Sequence, residues 1–261
     1  MHKSKCLPRI FAIVLAVCSL ASVLITASAA NPFNDISAAD YFYDAVLWAV
    51  DKNITNGVGD GQFAPLKTCT RAEAVTFLWR AMGRPAPKAT SCAFTDVVKD
   101  SYYYSALLWA VENKITTGTS ATTFAPDMTL TREQFVTLLW RTAGSPVESA
   151  KTNFTDVPDD AYYATAVQWA VAKKITQGVG DNMFGPRRDC TRSQIATLLL
   201  RVSENTNIMP ENPSYPQDPV YPDVPQTPTT PETPSEPTDP NKPAVNPSVG
   251  VGGKYETNWD V

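Results

Sequence analysis

Three threonine–arginine pairs, each at the start of an apolar helix-like segment, are the residues of this sequence best suited to chemistry. Each arginine is followed, two residues later, by the Glu or Gln that completes a helix capping box. An arginine at the first helical position is unusual because the amino terminus of a helix already carries about half a positive charge. The same cation beside the terminal N–H groups could bind a carboxylate or a phosphate. The candidate anion-binding residues are Arg71, Arg132 and Arg192.

Two explanations of these arginines stay open from the sequence. One is the anion pocket, and the other is an ion pair with an acid of a neighbouring repeat. The candidate acids are Asp35, Asp96 and Asp156, which are also candidate ligand-binding residues. A second set of arginines lies near the ends of the same segments, where the helix dipole favours a cation and no ligand is needed. This set is Arg80, Arg141 and Arg201. Helix capping explains the residues at the third helical position, which are Glu73, Gln134 and Gln194, better than ligand contact does.

The Thr-Arg pairs belong to a segment of about sixty residues that occurs three times. Each copy contains, in order, Phe-x-Asp, a Trp in an alanine-rich run, Ile-Thr-x-Gly, Phe-x-Pro and Thr-Arg. The offset from the Asp to the Arg is 36 residues in every copy. A fixed period indicates one structural unit that is repeated and packed on itself. Chemistry repeated at equal spacing favours repeated binding sites over one asymmetric catalytic centre.

Two further positions shared by the repeats are weaker candidates for ligand contact. The tryptophans either pack in the core or present a ring to a sugar. The glycines either supply a positive φ in a turn or let a ligand approach the backbone. The tryptophans are Trp48, Trp109 and Trp169, and the glycines are Gly57, Gly118 and Gly178.

Each repeat is predicted to be a helix–loop–helix unit. In the first copy, the first helix is expected at about residues 41–52, with an alanine and tryptophan face. The second helices are apolar over more than half of their circumference, so each must be buried on several sides. The expected fold is therefore mainly α, with a central three-helix bundle to which each repeat contributes one helix.

Composition excludes several classes of function. The first thirty residues contain three basic residues and no acids, and residues 205–261 contain eight acids and two lysines, which leaves the repeats with a net charge near −1. This is no electrostatic footprint for nucleic acid or an anionic membrane. The one histidine, His2, lies in the predicted signal sequence, and the Gly59-Asp60 turn lacks the spacing of a calcium loop. We therefore expect no catalytic residues, no metal site and no cofactor.

The two ends of the chain are predicted to be a targeting segment and a spacer. A basic start, an apolar stretch and Ala27-Ser28-Ala29 are typical of a secretory signal peptide, with a lipoprotein signal at Cys18 as the alternative. Proline recurs at every third position from Pro210 to Pro243, which predicts a polyproline II rod within a disordered tail. The predicted order is a signal peptide at 1–29, repeats at 31–91, 92–151 and 152–204, and the tail at 205–261.

The cysteines outside the signal sequence leave their pairing open. Cys69 and Cys190 occupy the same repeat position, where the middle repeat has Leu130, and Cys92 has no counterpart. Cys69 and Cys190 are either small apolar residues at a helix entrance or a disulfide.

In this order, the repeated motifs resemble S-layer homology (SLH) repeats, and the resemblance covers about residues 31–204. It implies a pseudo-threefold domain around the central bundle, with grooves between neighbouring repeats that bind a secondary cell-wall polymer, often a pyruvylated glycan. It also implies that the arginine of the Thr-Arg pair contacts the ligand, which carries over to Arg71, Arg132 and Arg192. Two departures from the pattern predict that one groove is altered: the second repeat lacks Gly-Val-Gly-Asp after its Ile-Thr pair, and the third has Leu200 and Glu204 where the others have Trp and Gly.

The function expected from these features is noncovalent attachment to the wall of a Gram-positive-type bacterium after export. The expected partner is the wall polymer, with no nucleic acid and no membrane after signal cleavage, and an unknown partner of the tail stays open. The alternative is a structural component that self-assembles into a surface lattice. An enzyme is disfavoured because the acids of the sequence are explained by caps, turns and the repeat pattern.

Overall fold

The computed structural model describes residues 31–149 and 151–210. The predicted signal sequence and the tail beyond residue 210 lie outside the described residues, so the predictions for them stay predictions. Within the described ranges the chain forms six α-helices, two in each repeat. They are α1 (Tyr43–Asp51), α2 (Arg71–Ala81), α3 (Tyr104–Glu112), α4 (Arg132–Thr142), α5 (Ala164–Ala172) and α6 (Arg192–Asn205). The mainly α fold predicted from the sequence is confirmed.

The second helix of each repeat begins at the arginine because the preceding threonine caps it. In α2 the hydroxyl of Thr70 accepts from the N–H of Glu73 at 3.2 Å, and the Glu73 carboxylate accepts from the N–H of Thr70 at 2.9 Å. Gln134 and Gln194 accept in the same way from the N–H groups of Thr131 and Thr191, at 3.3 and 3.4 Å. The capping role predicted for these residues is confirmed.

The second helices form the centre of the core. Nine of the eleven residues of α2 are buried, so this helix is covered on all sides, and α2 contacts α6 directly. The aliphatic side chains of Val75, Leu78, Leu139 and Leu199 are between 0 and 1% exposed. Burial of each such side chain stabilises the fold by about 1.5–3 kcal/mol. This burial explains why the sequence of these helices is apolar around most of their circumference.

The first helices pack across the repeat boundaries rather than within them. Helix α3 packs on α2 of the preceding repeat, and α5 packs on α4 in the same manner. The series closes on itself because α1 packs on α6, the last helix of the third repeat. The three repeats therefore form a closed ring in which each repeat completes the core of its neighbour.

A ring of three backbone hydrogen bonds joins the repeats in the segments before the second helices. The N–H of Cys69 donates to the carbonyl of Cys190 at 2.9 Å, that of Leu130 to Cys69 at 2.9 Å, and that of Cys190 to Leu130 at 2.8 Å. All three side chains are fully buried, and both thiols are free. Cys69 and Cys190 therefore act as small apolar residues beside this ring. Burial raises the pKa of the Cys190 thiol to about 12, which keeps it protonated.

Two tryptophans of the second helices hold the connections between repeats. The indole N–H of Trp79 donates to the carbonyl of Pro85 at 3.0 Å, and that of Trp140 donates to Pro146 at 2.7 Å. In the third repeat Leu200 stands at the position of these tryptophans, and α6 continues to Asn205.

Candidate functional site

The N–H groups at the start of each second helix are occupied by carbonyls of the next repeat. The N–H of Arg71 donates to Met128 at 2.9 Å, and that of Ala72 donates to Pro126 at 3.0 Å. In the same way, the N–H of Arg132 donates to the carbonyl of Arg188 and the N–H of Arg192 to that of Lys67, both at 2.9 Å. The N–H groups are therefore used by the fold, which corrects the expectation that they would help to bind an anion.

Each candidate arginine also reaches the same Phe-x-Pro loop with its side chain. The guanidinium Nε donates to the carbonyl of a phenylalanine at 2.8–3.0 Å, and its Cζ lies over the ring of that residue, 4.8–4.9 Å from the centroid. The pairs are Arg71 with Phe124, Arg132 with Phe184, and Arg192 with Phe63. Arg71 is 7% exposed, and the other two are 1% exposed. The arginines are thus integral to the contact between repeats.

The three aspartates hold these loops from the other side. In the third repeat, the carboxylate of Asp156 accepts from the N–H groups of Phe184 and Gly185 at 2.7 and 2.8 Å. Asp35 accepts in the same way from Phe63 and Ala64. The remaining member is Asp96, which binds the N–H groups of Phe124 and Ala125. Each aspartate is therefore linked to an arginine of the preceding repeat through the backbone of a shared phenylalanine. The ion-pair explanation of the arginines stays a prediction.

Burial and hydrogen bonding shift the pKa values of the three arginines and of Asp96. Burial lowers the pKa of Arg132 to about 10, so the side chain stays cationic at neutral pH but is held in an unfavourable environment. For Asp96, desolvation acts to raise the pKa, but the backbone hydrogen bonds from Phe124 and Ala125 and the charge of Arg71 outweigh it and lower the pKa. A buried cation that stays charged is a candidate for stabilisation by an anionic ligand.

The surroundings of Arg132 form a groove to which all three repeats contribute. Arg132 comes from the second repeat, Tyr41 from the first, and Thr176 from the third. Helix α6 supplies the remaining wall, which consists of Gln194, Thr197, Leu198 and Arg201. The cavity measures about 10 Å³, which is room for about one water molecule. We call it the Arg132 groove, and its lining contains two arginines and no acid.

Sequence reasoning missed several residues of this groove. The sequence offered no reason to name Arg201 as a ligand contact, because the helix dipole already explains an arginine in the last turn. The dipole does not determine which cavity the side chain lines. Tyr41 and Thr176 have equivalents in every repeat, and this recurrence is a signal that could have found them. The equivalents are Tyr102 and Tyr162 for the tyrosine, and Thr55 and Thr116 for the threonine.

The tryptophan candidates lie mainly in the core. Trp169 and Trp109 are 1% and 6% exposed, and Trp48 is half-buried against the same cluster. Of the two roles that the sequence left open for them, the core role matches this burial. A sugar-stacking role for these three residues stays untested.

The glycine candidates lie in tight turns. Gly57, Gly118 and Gly178 have φ values of 90°, 80° and 97°. A Cβ at Gly57 would clash with the carbonyl of Gln62 and the ring of Phe33, and the other two meet equivalent atoms. The turn geometry alone therefore requires glycine at these positions.

Residues 31–149 and 151–210 contain no group of three or more His, Cys, Asp or Glu side chains placed to hold a metal ion. In the same ranges no helix has the length and apolar character needed to span a bilayer.

Comparison with known families identifies the repeat. The family described as "S-layer homology domain" matches residues 32–75, 93–136 and 153–196, which together make up half of the chain. The three matches begin at the residues around Phe-x-Asp and end within the second helices, so they include both the aspartates and the arginines of the candidate site.

Similar curated proteins carry this region within much longer chains. The surface-layer 125 kDa protein of Lysinibacillus sphaericus is 34% identical over 210 residues, which is 78% of this chain and 18% of that protein. The cellulosome-anchoring protein of Acetivibrio thermocellus is 29% identical over 57% of this chain and 35% of its own length. An endoglucanase of Bacillus sp. (strain KSM-635) is 34% identical over 45% of this chain and 12% of its own length. The chain thus spans about a third or less of each of these relatives.

Proposed function

Since the chain belongs to the S-layer homology domain family and lies at the cell surface, we propose that it attaches noncovalently to the bacterial cell wall. It binds an anionic secondary wall polymer in the grooves between its repeats. The observation that carries this proposal is the Arg132 groove, in which a buried cation borders a small cavity built from three repeats.

The electrostatics of the groove support an anionic ligand. Arg132 and Arg201 line it together, and the other side chains of the lining are neutral hydroxyl, amide and aliphatic groups. Burial is the largest influence on the pKa of Arg132, and it disfavours the charged form of the guanidinium group. A carboxylate in the groove would stabilise that charged form. Because the helix N–H groups are occupied, recognition rests on the guanidinium fork, the neighbouring arginine and the hydroxyls of Tyr41 and Thr176.

A pyruvate ketal on a sugar fits this chemistry. Its carboxylate matches the planar, paired donors of a guanidinium group. Its sugar hydroxyls are suited to the tyrosine and threonine hydroxyls of the groove and to the amide of Gln194. We therefore propose a pyruvylated glycan as the anionic wall polymer.

The experiment is cosedimentation of the purified protein with sacculi, before and after the nonpeptidoglycan polymer is removed. We expect binding to intact sacculi and its loss after removal, because the groove recognises the polymer and not the peptidoglycan. A catalytically inert soluble protein of similar charge serves as the control for trapping. Equal binding to both preparations would refute polymer recognition.

A second candidate is self-assembly into a surface lattice. It is favoured by the similarity to a surface-layer protein over 78% of the chain. Electron microscopy of the concentrated protein without wall material separates the two functions. Ordered arrays under these conditions would support the lattice, whereas dispersed particles that bind sacculi would support the anchor.

A further inference from the structure

The third repeat contains a second cavity, larger than the Arg132 groove, to which the family motifs assign no role. It measures about 300 Å³, which is within the range of small-ligand sites. It lies between the end of α5, the Phe-x-Asp segment and the loop that leads to Phe-x-Pro. Its lining includes Asn153, Phe154, Lys174, Thr176, Gln177 and Asn182. We call this cavity the amide pocket.

The side chains of the amide pocket suit a sugar. Three carboxamides each offer two N–H donors and a carbonyl acceptor, which matches hydroxyl groups that both donate and accept. The ring of Phe154 adds an apolar surface, and the lining contains Lys174 but no carboxylate. The backbone beside the pocket is fixed, because the carbonyl of Asn182 accepts from the N–H of Thr155 at 2.8 Å.

The three amides occur together only in the third repeat. The position of Asn153 holds Pro32 and Ala93 in the other repeats, and that of Asn182 holds Gly61 and Thr122. The position of Gln177 holds Asn56 in the first repeat and Thr117 in the second. The pocket is therefore a feature of this chain and not a consequence of the repeat pattern.

The amide pocket and the Arg132 groove share one wall residue. Thr176 lines both cavities, is 3% exposed, and is fixed by the N–H of Gly178, which donates to its hydroxyl at 3.2 Å. The two cavities are therefore neighbours, with the side chain of Thr176 between them.

We propose that the amide pocket is a second saccharide subsite, contiguous with the Arg132 groove. The charged sugar of a wall polymer binds at Arg132, and the neighbouring sugar binds among Asn153, Gln177 and Asn182. This inference rests on the proposed function. With this subsite, the groove at Arg132 prefers a ligand of at least two sugars. The sites at Arg71 and Arg192 lack this preference.

The test exchanges the amides for residues that the other repeats carry. The triple variant is Asn153→Ala, Gln177→Thr and Asn182→Gly. Each new residue already stands at the equivalent position of another repeat, so the backbone conformation should not change. The matched control is Thr117→Ala with Thr122→Ala at the same positions of the second repeat. Two probes are titrated into the full-length proteins by calorimetry: a methyl hexoside carrying a pyruvate ketal, and longer fragments of polymer released from sacculi.

We expect the triple variant to bind the longer fragments at least about tenfold more weakly and the one-sugar probe unchanged, with no effect of the control. In the wild type, the longer fragments alone should shift the side-chain NH₂ resonances of Gln177. Unchanged binding of both probes would overturn the subsite and leave wall attachment standing. An equal loss for both probes would also overturn it, because the pocket would then act only through the groove. A wild-type protein that binds neither probe would refute the proposed function itself.

Discussion

Arg192 occupies the same place in the repeat ring as Arg132, but the residues around the two arginines differ. Arg192 donates to the hydroxyl of Thr55 at 3.2 Å and lies between two aromatic rings, 4.9 Å from the centroid of Phe63 and 5.2 Å from that of Phe77. In the Arg132 groove, Leu198 takes the position of Phe77. Both arginines are 1% exposed, so the difference between them lies in the residues that surround them and not in their burial.

The charge around the two arginines differs as well. Glu73 precedes Phe77 by one helical turn, is 4% exposed, and is among the acids that act on the pKa of Arg192. The equivalent residue at the Arg132 groove is the neutral Gln194. The Glu73 carboxylate pairs with Lys67 at 3.3 Å and also acts on Arg192, whereas Gln194 brings no charge to the Arg132 groove. We therefore expect the Arg132 groove to be the stronger of these two sites.

The largest expected effect comes from removing each of these two arginines. Arg132→Gln should weaken binding to wall polymer by on the order of 100-fold, because a charge-assisted, paired contact contributes about 3 kcal/mol. Arg192→Gln should change binding by less than about threefold, which is under 1 kcal/mol. Both variants lose the hydrogen bond to a loop carbonyl, and Arg192→Gln also loses the bond to the hydroxyl of Thr55. The unfolding free energy of each variant is therefore measured alongside binding, so that a loss of polymer binding is separated from a loss of folding. Titration of sacculi measures the binding, and an equal loss in both variants would show that the grooves are equivalent.

A smaller effect is expected when the loops under the two arginines are loosened. Asp35→Ala and Asp156→Ala each leave two loop N–H groups without their carboxylate, so each should lower the free energy of unfolding by about 2–3 kcal/mol. Only Asp156→Ala should also weaken polymer binding, because its loop carries Phe184 beneath Arg132. Denaturant unfolding and sacculus titration measure the two quantities. Weaker binding in Asp35→Ala at equal stability would contradict the proposed ranking of the grooves.

The smallest effect is expected from converting one groove into the other. Glu73→Gln with Phe77→Leu gives the Arg192 groove the residues found at the Arg132 groove. We expect a gain of about two- to fivefold in polymer binding, and a loss of about 1 kcal/mol in stability from the smaller side chain. The matched reverse exchange is Gln194→Glu with Leu198→Phe in α6, which gives the Arg132 groove the residues found at Arg192. If the conversion leaves polymer binding unchanged, Glu73 and Phe77 do not determine the ranking.

Much of the fold was predictable from single residues and their spacing. The Thr70 and Glu73 pair marked the start of α2, and the apolar surface of the second helices required a shared core. These signals are local, because a cap involves residues three apart and an apolar face repeats every three or four residues.

The site was less predictable because its contacts join backbone atoms of different repeats. The N–H of Arg132 donates to the carbonyl of Arg188, and any residue type can supply a carbonyl, so the sequence carries no sign of it. The role of Asp156 is weakly indicated in the sequence, because the aspartate and the phenylalanine whose N–H it binds are 28 residues apart in every repeat. The amide pocket is not indicated at all, since its residues depart from the repeat pattern on which the prediction was built.

The contact between α1 and α6 determines when this structure can be completed. A chain that emerges from its amino terminus carries α1 long before its partner exists, so the apolar face of α1 stays uncovered until the third repeat has appeared. Folding should therefore finish only after the third repeat has appeared. In the closed ring each first helix packs on a second helix of another repeat, so the described repeats leave no second helix uncovered for a fourth copy.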